Sequence, residues 1–553
     1  MAKLIVHTPE MIKEYIAKGY VDRLTLGDSW DRNAARFPDK EGLVDPFSGK
    51  RFTWKQLKEL SNRLAFNLIE LGIKPDEVLA SQLPNCVEHV IGHFACDKAG
   101  ILFLGLRTAF KDTEMEHNLH LSQASAVIIP WKFRDFDHYE MIRKLQPKLP
   151  KLKYIIVVGA PAPSGAISFQ ELMTRPPRNQ YAPDYFRKTK FRIDEVSDLM
   201  TTTGTTGMPK IAAHSSANIS LLSKVGVERL KMTSDDVYLP LVPFWTGINV
   251  VHLTAAARAG AKTVVIERFA EPEPVDVFRA IEKERVTLTV TAPTVYYRML
   301  ESPNMSRYDL SSVRVATSSG GSLSVELASK IEEKLKSKIA SIYGVVEGGF
   351  FSQSHVDDPL EVRLSTVGRI VEGMEVKLID EQGKEVPRHE VGEIVGRGAA
   401  TYEGYYNDPE RVREVFDQDG FFHTGDLGRI DEHNNIILVG RKKDIIIRGG
   451  QNVYPGEIES LLLTHPSIGN IAVVGMPDRE MGEKACAFVI PKPGKQITFD
   501  EMVSFLRAKR IASYKLPERL EIVKAFPVVG EAKVNKRELQ EMIKEKLKAE
   551  GKM

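Results

Sequence analysis

Three features are scarce in this sequence: cysteine, long apolar runs and an excess of charge of either sign. The 553 residues include three cysteines, Cys86, Cys96 and Cys486, which are far apart and show no metal-binding spacing. They predict ordinary buried thiols in a reducing compartment, which we expect to be the cytoplasm. No apolar run approaches the roughly 18 residues that a membrane-spanning helix needs, so no membrane association is expected.

Positive and negative charges nearly cancel in this chain. The formal net charge is only +2, which gives no electrostatic reason to expect nucleic acid or an acidic membrane surface as a partner. The N-terminus lacks the apolar core and the small-residue cleavage site of a secretory signal. It predicts instead a helix that Thr8 caps, that has Pro9 at its first position and that ends near Gly19.

The composition is that of a soluble globular protein, with 42% apolar and 27% charged residues. The chain is too long for one ordinary core, so two or more domains are expected. From about residue 55 to 310, helical patterns alternate with short β-branched runs, which is typical of parallel α/β sheets. One helical face consists of Leu57, Leu60, Leu64, Leu68 and Leu71, and the predicted buried strands are 126–129, 154–158 and 263–266.

The pattern changes after about residue 360. Shorter strands with turn residues begin there, among them 375–380, and they indicate a small β-rich lobe. The charged link 440–444 separates a strand at 436–439 from another at 445–447, and taken alone such a link is usually a hairpin turn. The remaining residues, about 110 of them, have their own mixed pattern and predict a small separate domain.

The densest chemical signal is the run TTTGTTGMPK at 201–210, with five threonines, two glycines and one lysine. Glycines let backbone amides face an anion, threonine hydroxyls add donors and the lysine supplies a point charge, so the run suits a polyphosphate. It is not a Walker loop, because Lys210 follows Pro209 and precedes Ile211. Taken alone, the run is equally compatible with a flexible surface loop.

Four further motifs follow in order: YGVVE at 343–347, TGD at 424–426, GRKKD at 440–444 and AKVNK at 532–536. Together with the run 201–210 they resemble the adenylate-forming superfamily of acyl-CoA synthetases, aryl-acid ligases, peptide-synthetase adenylation domains and luciferases. The resemblance spans essentially the whole chain. It implies an α/β fold in which residues 1–442 form a large domain of parallel-sheet αβα subdomains plus the β-rich lobe. Residues 443–553 would form a small, mobile α+β domain.

The resemblance implies an enzyme that activates a carboxylic acid with ATP and Mg²⁺ and then transfers the acyl group to CoA. Activation requires a held nucleotide, a cation on its phosphates and stabilisation of the charge that builds at the α-phosphorus. Glu347 would contact Mg²⁺, for which one carboxylate beside phosphate oxygens is sufficient. Lys533 would bridge the substrate carboxylate and the α-phosphate, although a lysine in such a region is otherwise a solvated charge. The implied polyphosphate cradle is Thr202, Thr203, Gly204, Thr205, Thr206, Gly207 and Lys210.

The same resemblance assigns the adenosine end of the nucleotide. Tyr343 would stack on adenine, and Asp426 would accept hydrogen bonds from both ribose hydroxyls. Arg441 would lie near the ribose and the phosphate, and Gly321 is a further expected nucleotide contact.

This chain departs from the family pattern at four positions. Ala532 and Val529 stand where the family usually has glycine and threonine, and Ile211 stands in place of glycine. Val346 replaces a threonine, so that a donor to phosphate is lost and an apolar wall is gained. An adenylate-binding protein that has lost catalysis is therefore one alternative, although the acidic and basic residues with implied roles are retained.

In this family the C-terminal domain rotates after adenylation to build a second active site. The resemblance puts the pivot at Lys443, with Asp444 beside it, because polar residues tolerate exposure in both states. Gly449 and Gly450 would let the pantetheine thiol of CoA pass close to the backbone. The alternative is a tight turn before a helix that begins at Gly456.

The implied acid pocket is lined by 242–247 and by 318–322. Trp245 would close one end of it, unless it is a plain core residue, and Val346 would form a wall. Gly320 and Gly321 would leave room for a ring or a chain.

The segments 481–487 and 511–519 resemble ligases that activate dihydroxybenzoate, benzoate or cyclohexanecarboxylate. We therefore expect a cyclic acid of about benzoate size. The residues Thr246, Gly247 and Ile248 stand near where a catechol-binding asparagine is expected, which favours an unhydroxylated ring and CoA as acceptor. The alternatives are an aryl-acid ligase that loads a carrier protein and a medium-chain fatty acyl-CoA ligase. A monomer or a homodimer is expected.

Overall fold

The computed structural model describes residues 6–159, 161–202, 208–267, 274–321, 323–408, 410–529 and 533–552. The first part of the chain alternates helices with short strands, as the sequence predicts. Its elements are α1 Pro9–Ala17, α2 Leu26–Arg36, β1 Glu41–Val44, β2 Arg51–Thr53, α3 Trp54–Glu70, β3 Val78–Ser81, α4 Val87–Ala99, β4 Leu102–Gly105, α5 Asp112–Ser122, β5 Ala126–Pro130, β6 Lys132–Phe133, β7 Phe136–Asp137, α6 His138–Leu145, β8 Tyr154–Val158, β9 Ile167–Ser168, α7 Phe169–Thr174, α8 Phe186–Thr189 and β10 Val196–Thr202.

The second part repeats this alternation. Its elements are β11 Lys210–Ser215, α9 Ser216–Leu230, β12 Val237–Pro240, α10 Gly247–Ala259, β13 Lys262–Val264, α11 Val275–Glu284, β14 Leu288–Thr291, α12 Pro293–Glu301, β15 Val315–Ser318, α13 Val325–Leu335, β16 Lys338–Val345, β17 Gly349–Gln353, α14 Leu360–Ser365 and β18 Arg369–Ile370.

The last part has shorter connections and more antiparallel pairing. Its elements are β19 Met374–Ile379, β20 Gly392–Gly398, β21 Phe422–Ile430, β22 Ile436–Arg441, β23 Ile446–Arg448, β24 Gln451–Val453, α15 Pro455–Leu462, β25 Ile468–Asp478, β26 Gly482–Pro491, α16 Phe499–Ala508, β27 Arg519–Ile522, β28 Val528–Val529, β29 Lys533–Val534 and α17 Lys536–Ala549.

Two large sheets dominate the first 370 residues. One has seven strands in the order β11-β10-β4-β3-β5-β8-β9, and the other has nine in the order β18-β17-β16-β15-β14-β12-β13-β1-β2. Neighbouring strands in the middle of each sheet are parallel, while the pairs β10–β11 and β16–β17 are antiparallel. Helices pack on these sheets because their apolar faces are buried: Leu57, Leu64 and Leu68 of α3 are fully buried. The predicted parallel α/β fold is confirmed.

The β-rich lobe is a separate antiparallel sheet, β19-β20-β21-β22, and a five-stranded mixed sheet of β23 to β27 follows it. The short 3₁₀ helix Lys442–Asp444 links the two. A hairpin turn, the usual structure of such a link taken alone, is therefore not formed at 440–444. β22 pairs with β21, whereas β23 pairs with β24 and β26, so the strands flanking the link belong to different sheets.

The N-terminal helix forms as predicted. The Thr8 hydroxyl accepts a hydrogen bond from the Met11 amide at 3.2 Å, and Pro9 occupies the first helical position. The helix ends at Ala17, and Gly19 follows in the left-handed region with φ of 75°. This conformation suits a residue without a side chain, and it turns the chain away from the helix.

Candidate active site

The two strands β10 and β11 carry the ends of the threonine- and glycine-rich run. Thr202 is the last residue of β10 and is paired in register with Lys210, the first residue of β11. The hydroxyls of Thr201 and Thr202 are buried and make no hydrogen bond with any described group. Five predicted cradle residues between Thr202 and Lys210 lie outside the described residues: Thr203, Gly204, Thr205, Thr206 and Gly207.

Glu347 lies in the turn between β16 and β17, close to Lys210. Its Oε1 accepts a hydrogen bond of 3.1 Å from the hydroxyl of Tyr405. The Lys210 ammonium lies 4.7 Å from the centroid of the same tyrosine ring. The fold thus brings the predicted Mg²⁺ ligand and the predicted phosphate-binding lysine to one side chain. A single half-buried carboxylate beside a phosphate-binding cation fits Mg²⁺, which takes its other ligands from phosphate and water.

The predicted adenosine contacts are joined by hydrogen bonds and an ion pair. The Tyr343 hydroxyl donates to Asp426 Oδ2 at 3.0 Å, and Arg441 Nε lies 3.1 Å from Asp426 Oδ1. Asp426 and Arg441 are register partners on β21 and β22, which fixes their separation. Burial, and then the charge of Asp426, raise the pKa of Tyr343 well above its ordinary value, so the phenol remains a donor. These three residues form one continuous polar group.

Val346 belongs to an apolar cluster that connects β16–β17 with α10. The buried members of this cluster include Met200 and Val250, and Val346 and Phe350 are partly buried against it. The cluster extends to α10, the helix that follows Trp245, and the role of Val346 as a pocket wall stays a prediction.

Trp245 is half-buried and lies between β12 and α10. The Arg107 guanidinium carbon is 4.4 Å from the Trp245 ring centroid. Gly105 passes directly beneath the tryptophan, because a Cβ at Gly105 would lie 2.9 Å from the Trp245 Cα. Trp245 is therefore not fully buried, and a guanidinium lies over its ring.

Gly320 and Gly321 follow β15 and are exposed. Gly320 has a φ of 78°, and a Cβ at that position would meet no heavy atom within 4 Å of the described structure. A Cβ at Gly321 would lie 3.5 Å from Pro293. That these glycines border the acid pocket stays a prediction.

Lys533 is the first residue of β29, where it pairs in register with Val529 of β28. It precedes α17, which begins at Lys536 with Asn535 as its cap. The catalytic lysine of the prediction therefore lies on a short hairpin before the basic helix. Ala532 lies outside the described residues.

The predicted hinge residues occupy the 3₁₀ link between the two β-rich sheets. Lys443 is exposed and Asp444 is half-buried, while the neighbouring Lys442 pairs with Glu393 at 2.8 Å. Gly449 and Gly450 form the turn of the β23–β24 hairpin, with φ values of 55° and 81°. Two successive left-handed residues are what a two-residue hairpin turn requires, so the tight-turn alternative describes the backbone here.

Sequence reasoning missed Tyr405 and the segment around it. Tyr405 is 58 positions from Glu347, and no spacing rule relates the two. It also missed His7, whose Nδ1 lies 2.8 Å from Oε1 of Glu403. Neither side chain of this pair is exposed. A histidine and a glutamate separated by 396 positions give no local signal.

Two family models match the chain. The AMP-binding enzyme model matches residues 30–406, and the model of the AMP-binding enzyme C-terminal domain matches residues 457–533. Among the described residues, no helix is both long enough and apolar enough to cross a membrane.

Relatives extend over nearly the whole chain. The medium-chain fatty-acid–CoA ligase of Escherichia coli (strain K12) is 30% identical and aligns with 94% of this chain and 91% of its own length. The 2,3-dihydroxybenzoate-AMP ligase of Bacillus subtilis (strain 168) is 30% identical over 98% of this chain and 97% of its own length. The crystal structure of the anthranilate CoA ligase AuaEII with anthranoyl-AMP is 27% identical. It superposes with a TM-score of 0.85 over 95% of this chain and 98% of that chain. The chain is therefore a member of the AMP-binding enzyme family, and within it an AMP-forming ligase of acyl or aryl acids.

Proposed function

We propose that this enzyme is a carboxylic acid:CoA ligase that uses ATP, Mg²⁺ and a cyclic acid of about the size of benzoate or cyclohexanecarboxylate. The observation that carries this proposal is the arrangement of Lys210 and Glu347 around Tyr405, together with the group formed by Tyr343, Asp426 and Arg441 on β16, β21 and β22. One end of this arrangement suits phosphates with a cation, and the other end suits a nucleoside.

In the first step a carboxylate oxygen attacks the α-phosphorus, pyrophosphate leaves, and an acyl-adenylate forms. Lys210 would pair with the departing phosphates and Lys533 would neutralise charge between the carboxylate and the α-phosphate. Asp426 would accept hydrogen bonds from the ribose hydroxyls. Mg²⁺, held by Glu347 and the phosphates, would supply further neutralisation of the pyrophosphate charge.

In the second step the CoA thiol attacks the acyl carbonyl of the adenylate, and AMP leaves. We propose that residues 443–553 rotate about Lys443 and Asp444 between the two steps. The change from one sheet to another at Lys442–Asp444 supports this division, since few backbone pairings need to break when the link turns. The thiol would approach past Gly449 and Gly450. A Cβ at Gly450 would meet no described heavy atom within 4 Å, whereas the Met481 side chain packs against Gly449.

The acid is proposed to be an unhydroxylated ring that lies between Val346 and Trp245. The apolar cluster around Val346 and the partly accessible tryptophan support a flat or compact apolar group. Two other candidates have support from relatives of near-complete coverage. The E. coli relative is named for medium-chain fatty acids and the B. subtilis relative for 2,3-dihydroxybenzoate.

The test is production of AMP and thioester from ATP with benzoate, cyclohexanecarboxylate, 2,3-dihydroxybenzoate and octanoate, each with and without CoA. CoA-dependent turnover that is fastest with the unsubstituted rings would support the proposal. Preference for octanoate would indicate that the substrate is a medium-chain fatty acid and not a cyclic acid. Adenylate that accumulates and does not react with CoA would indicate that a carrier protein is the acceptor.

A further inference from the structure

Tyr405 contacts two groups with proposed roles in ATP activation. Its hydroxyl donates to Glu347 Oε1 at 3.1 Å, and its ring lies 4.7 Å from the Lys210 ammonium. Only 2% of the residue is exposed. A buried side chain that uses its hydroxyl on an anion and its ring on a cation fixes both of them relative to one rigid plane.

The backbone around Tyr405 is held firmly on β11. Ala213 donates its amide to the Gly404 carbonyl at 2.9 Å, and Glu403 donates to the Ala213 carbonyl at 2.7 Å. The Tyr406 amide donates to the Ile211 carbonyl at 2.8 Å. These bonds give residues 399–406, which we call the tyrosine segment, a fixed position beside the strand that begins with Lys210.

The tyrosine segment is also held on the turn that carries Glu347. The Tyr402 amide donates to the Glu347 carbonyl at 3.2 Å. A Cβ at Gly349 would collide with the Ala400 carbonyl, so the turn and the segment are in backbone contact there. The position of Tyr405 is thus determined from both sides, by β11 and by the β16–β17 turn.

The phenol remains protonated at neutral pH. The pKa of a phenol is ordinarily about 10. The hydroxyl therefore donates to one oxygen of Glu347. This bond uses one lone pair of Oε1, and Oε2 has no hydrogen bond with any residue that the structure describes. The Lys210 ammonium over the ring keeps donors for phosphate.

We propose that Tyr405 is a positioning residue for ATP activation, which sets the distance between the carboxylate that binds the metal and the ammonium that binds the phosphates. The proposal rests on the proposed function. It assigns separate effects to the two parts of the side chain: the hydroxyl orients Glu347 toward the cation, and the ring places Lys210.

The experiment measures binding of Mn²⁺ to the full-length enzyme with ATP by electron paramagnetic resonance, alongside ATP affinity without metal. Tyr405→Phe removes only the hydroxyl and is expected to weaken Mn²⁺ binding about tenfold, the loss typical of a hydrogen bond to a charged group. ATP affinity without metal should stay unchanged. Tyr405→Leu also removes the ring and is expected to weaken metal-free ATP binding by about threefold.

Tyr406→Phe is the matched control, since Tyr406 is the next residue and packs in a different apolar cluster, beside β4 and β5. It should leave both affinities unchanged. A double-mutant cycle separates positioning from folding: in a Glu347→Gln background, Tyr405→Phe should cause no further loss of Mn²⁺ affinity. Equal Mn²⁺ affinity of the native enzyme and Tyr405→Phe, or the same further loss in the Glu347→Gln background, would overturn the proposal.

The same measurements show whether the positioning role of Tyr405 or the proposed choice of acid has failed. Native enzyme that binds Mn²⁺ and ATP but turns over none of the acids would disprove the choice of acid, while the Tyr405→Phe comparison would still decide the positioning role. If the native enzyme fails to bind Mn²⁺ with ATP, both the positioning role of Tyr405 and the proposed ligase function that uses ATP and Mg²⁺ would be overturned.

Discussion

At the scale of single residues, Lys533 is predicted to affect only one of the two half-reactions. Lys533→Ala should lower adenylate formation by about a thousandfold, because charge at the α-phosphate loses its neutralising partner. Thioester formation from supplied acyl-adenylate should be largely retained, since the lysine serves the first step. The measurement is pyrophosphate exchange against CoA consumption with synthetic acyl-adenylate.

The matched control for this variant is Lys536→Ala. Lys536 lies three positions later and pairs with Glu459 at 2.6 Å. It should leave both rates close to those of the native enzyme. Equal loss of the two half-reactions in Lys533→Ala would contradict the assigned role.

Trp245 permits a prediction about substrate size. Trp245→Ala should raise the ratio of kcat/KM for 2-naphthoate over benzoate by about tenfold, because the variant opens the end of the pocket that the indole closes. Phe47→Ala serves as control, since Phe47 is an exposed aromatic residue on the β1–β2 connection. An unchanged ranking of acids in the Trp245→Ala variant would show that Trp245 does not line the acid pocket.

At the scale of elements, the link between β22 and β23 is where the proposed rotation is tested. Lys443→Pro should spare adenylation and lower thioester formation by about a hundredfold or more, because proline fixes φ and restricts the change in backbone conformation. Separate rates of pyrophosphate exchange and thioester formation are the measurement. Lys443→Ala keeps a free φ and should retain both steps. Normal thioester formation by the proline variant would exclude a pivot at this residue.

Some secondary-structure elements can be predicted from the local sequence, and others cannot. Strands at 126–129 and 154–158 were predictable, because fully buried parallel strands are continuous apolar runs. The pattern at 263–266 was matched only in part, since the strand ends at Val264. The charged link 440–444, taken alone, is typical of a hairpin turn. That its flanking strands belong to different sheets depends on distant partners, which local spacing does not contain.

The candidate site divides in the same way. Lys210, Glu347 and Asp426 could be predicted as site residues from short motifs, whose residue types suit phosphate, a cation and ribose. Tyr405 could not, because its proposed role depends on a contact across 58 positions. Trp245 was located by its place in a segment, but the guanidinium that covers its ring comes from the distant β4–α5 connection.

At the scale of the whole molecule, the beginning of the chain is tied to the tyrosine segment. The His7 ring lies 2.8 Å from one oxygen of Glu403, and its other nitrogen lies 3.0 Å from the Gly398 carbonyl. Because both side chains are fully buried, each needs the other to offset the cost of leaving water. The N-terminal segment therefore contributes to the position of the residues that contact Glu347 and Lys210.

This buried pair predicts a pH dependence of stability. Burial lowers the pKa of His7, but the hydrogen bond and charge of Glu403 together outweigh it, so the net pKa is raised. The stabilisation is fully present below the unfolded value of about 6.5 and is lost as pH rises through the higher folded value. The other groups that face the pair do not reverse this sign. The Tyr15 ring is 5.9 Å away, and its pKa is raised. Burial lowers the pKa of His214 to about 4, so it stays neutral.

The measurement is the free energy of unfolding by urea at pH 6 and at pH 8.5. His7→Ala should destabilise by about 3 kcal/mol at pH 6, because it leaves a buried carboxylate unpaired. The double variant His7→Asn with Glu403→Gln removes both titrating groups without leaving a charge. The native enzyme should lose stability relative to this double variant between pH 6 and pH 8.5. A constant difference across that range would show that His7 does not titrate there, and a growing difference would mean that its folded pKa is lowered.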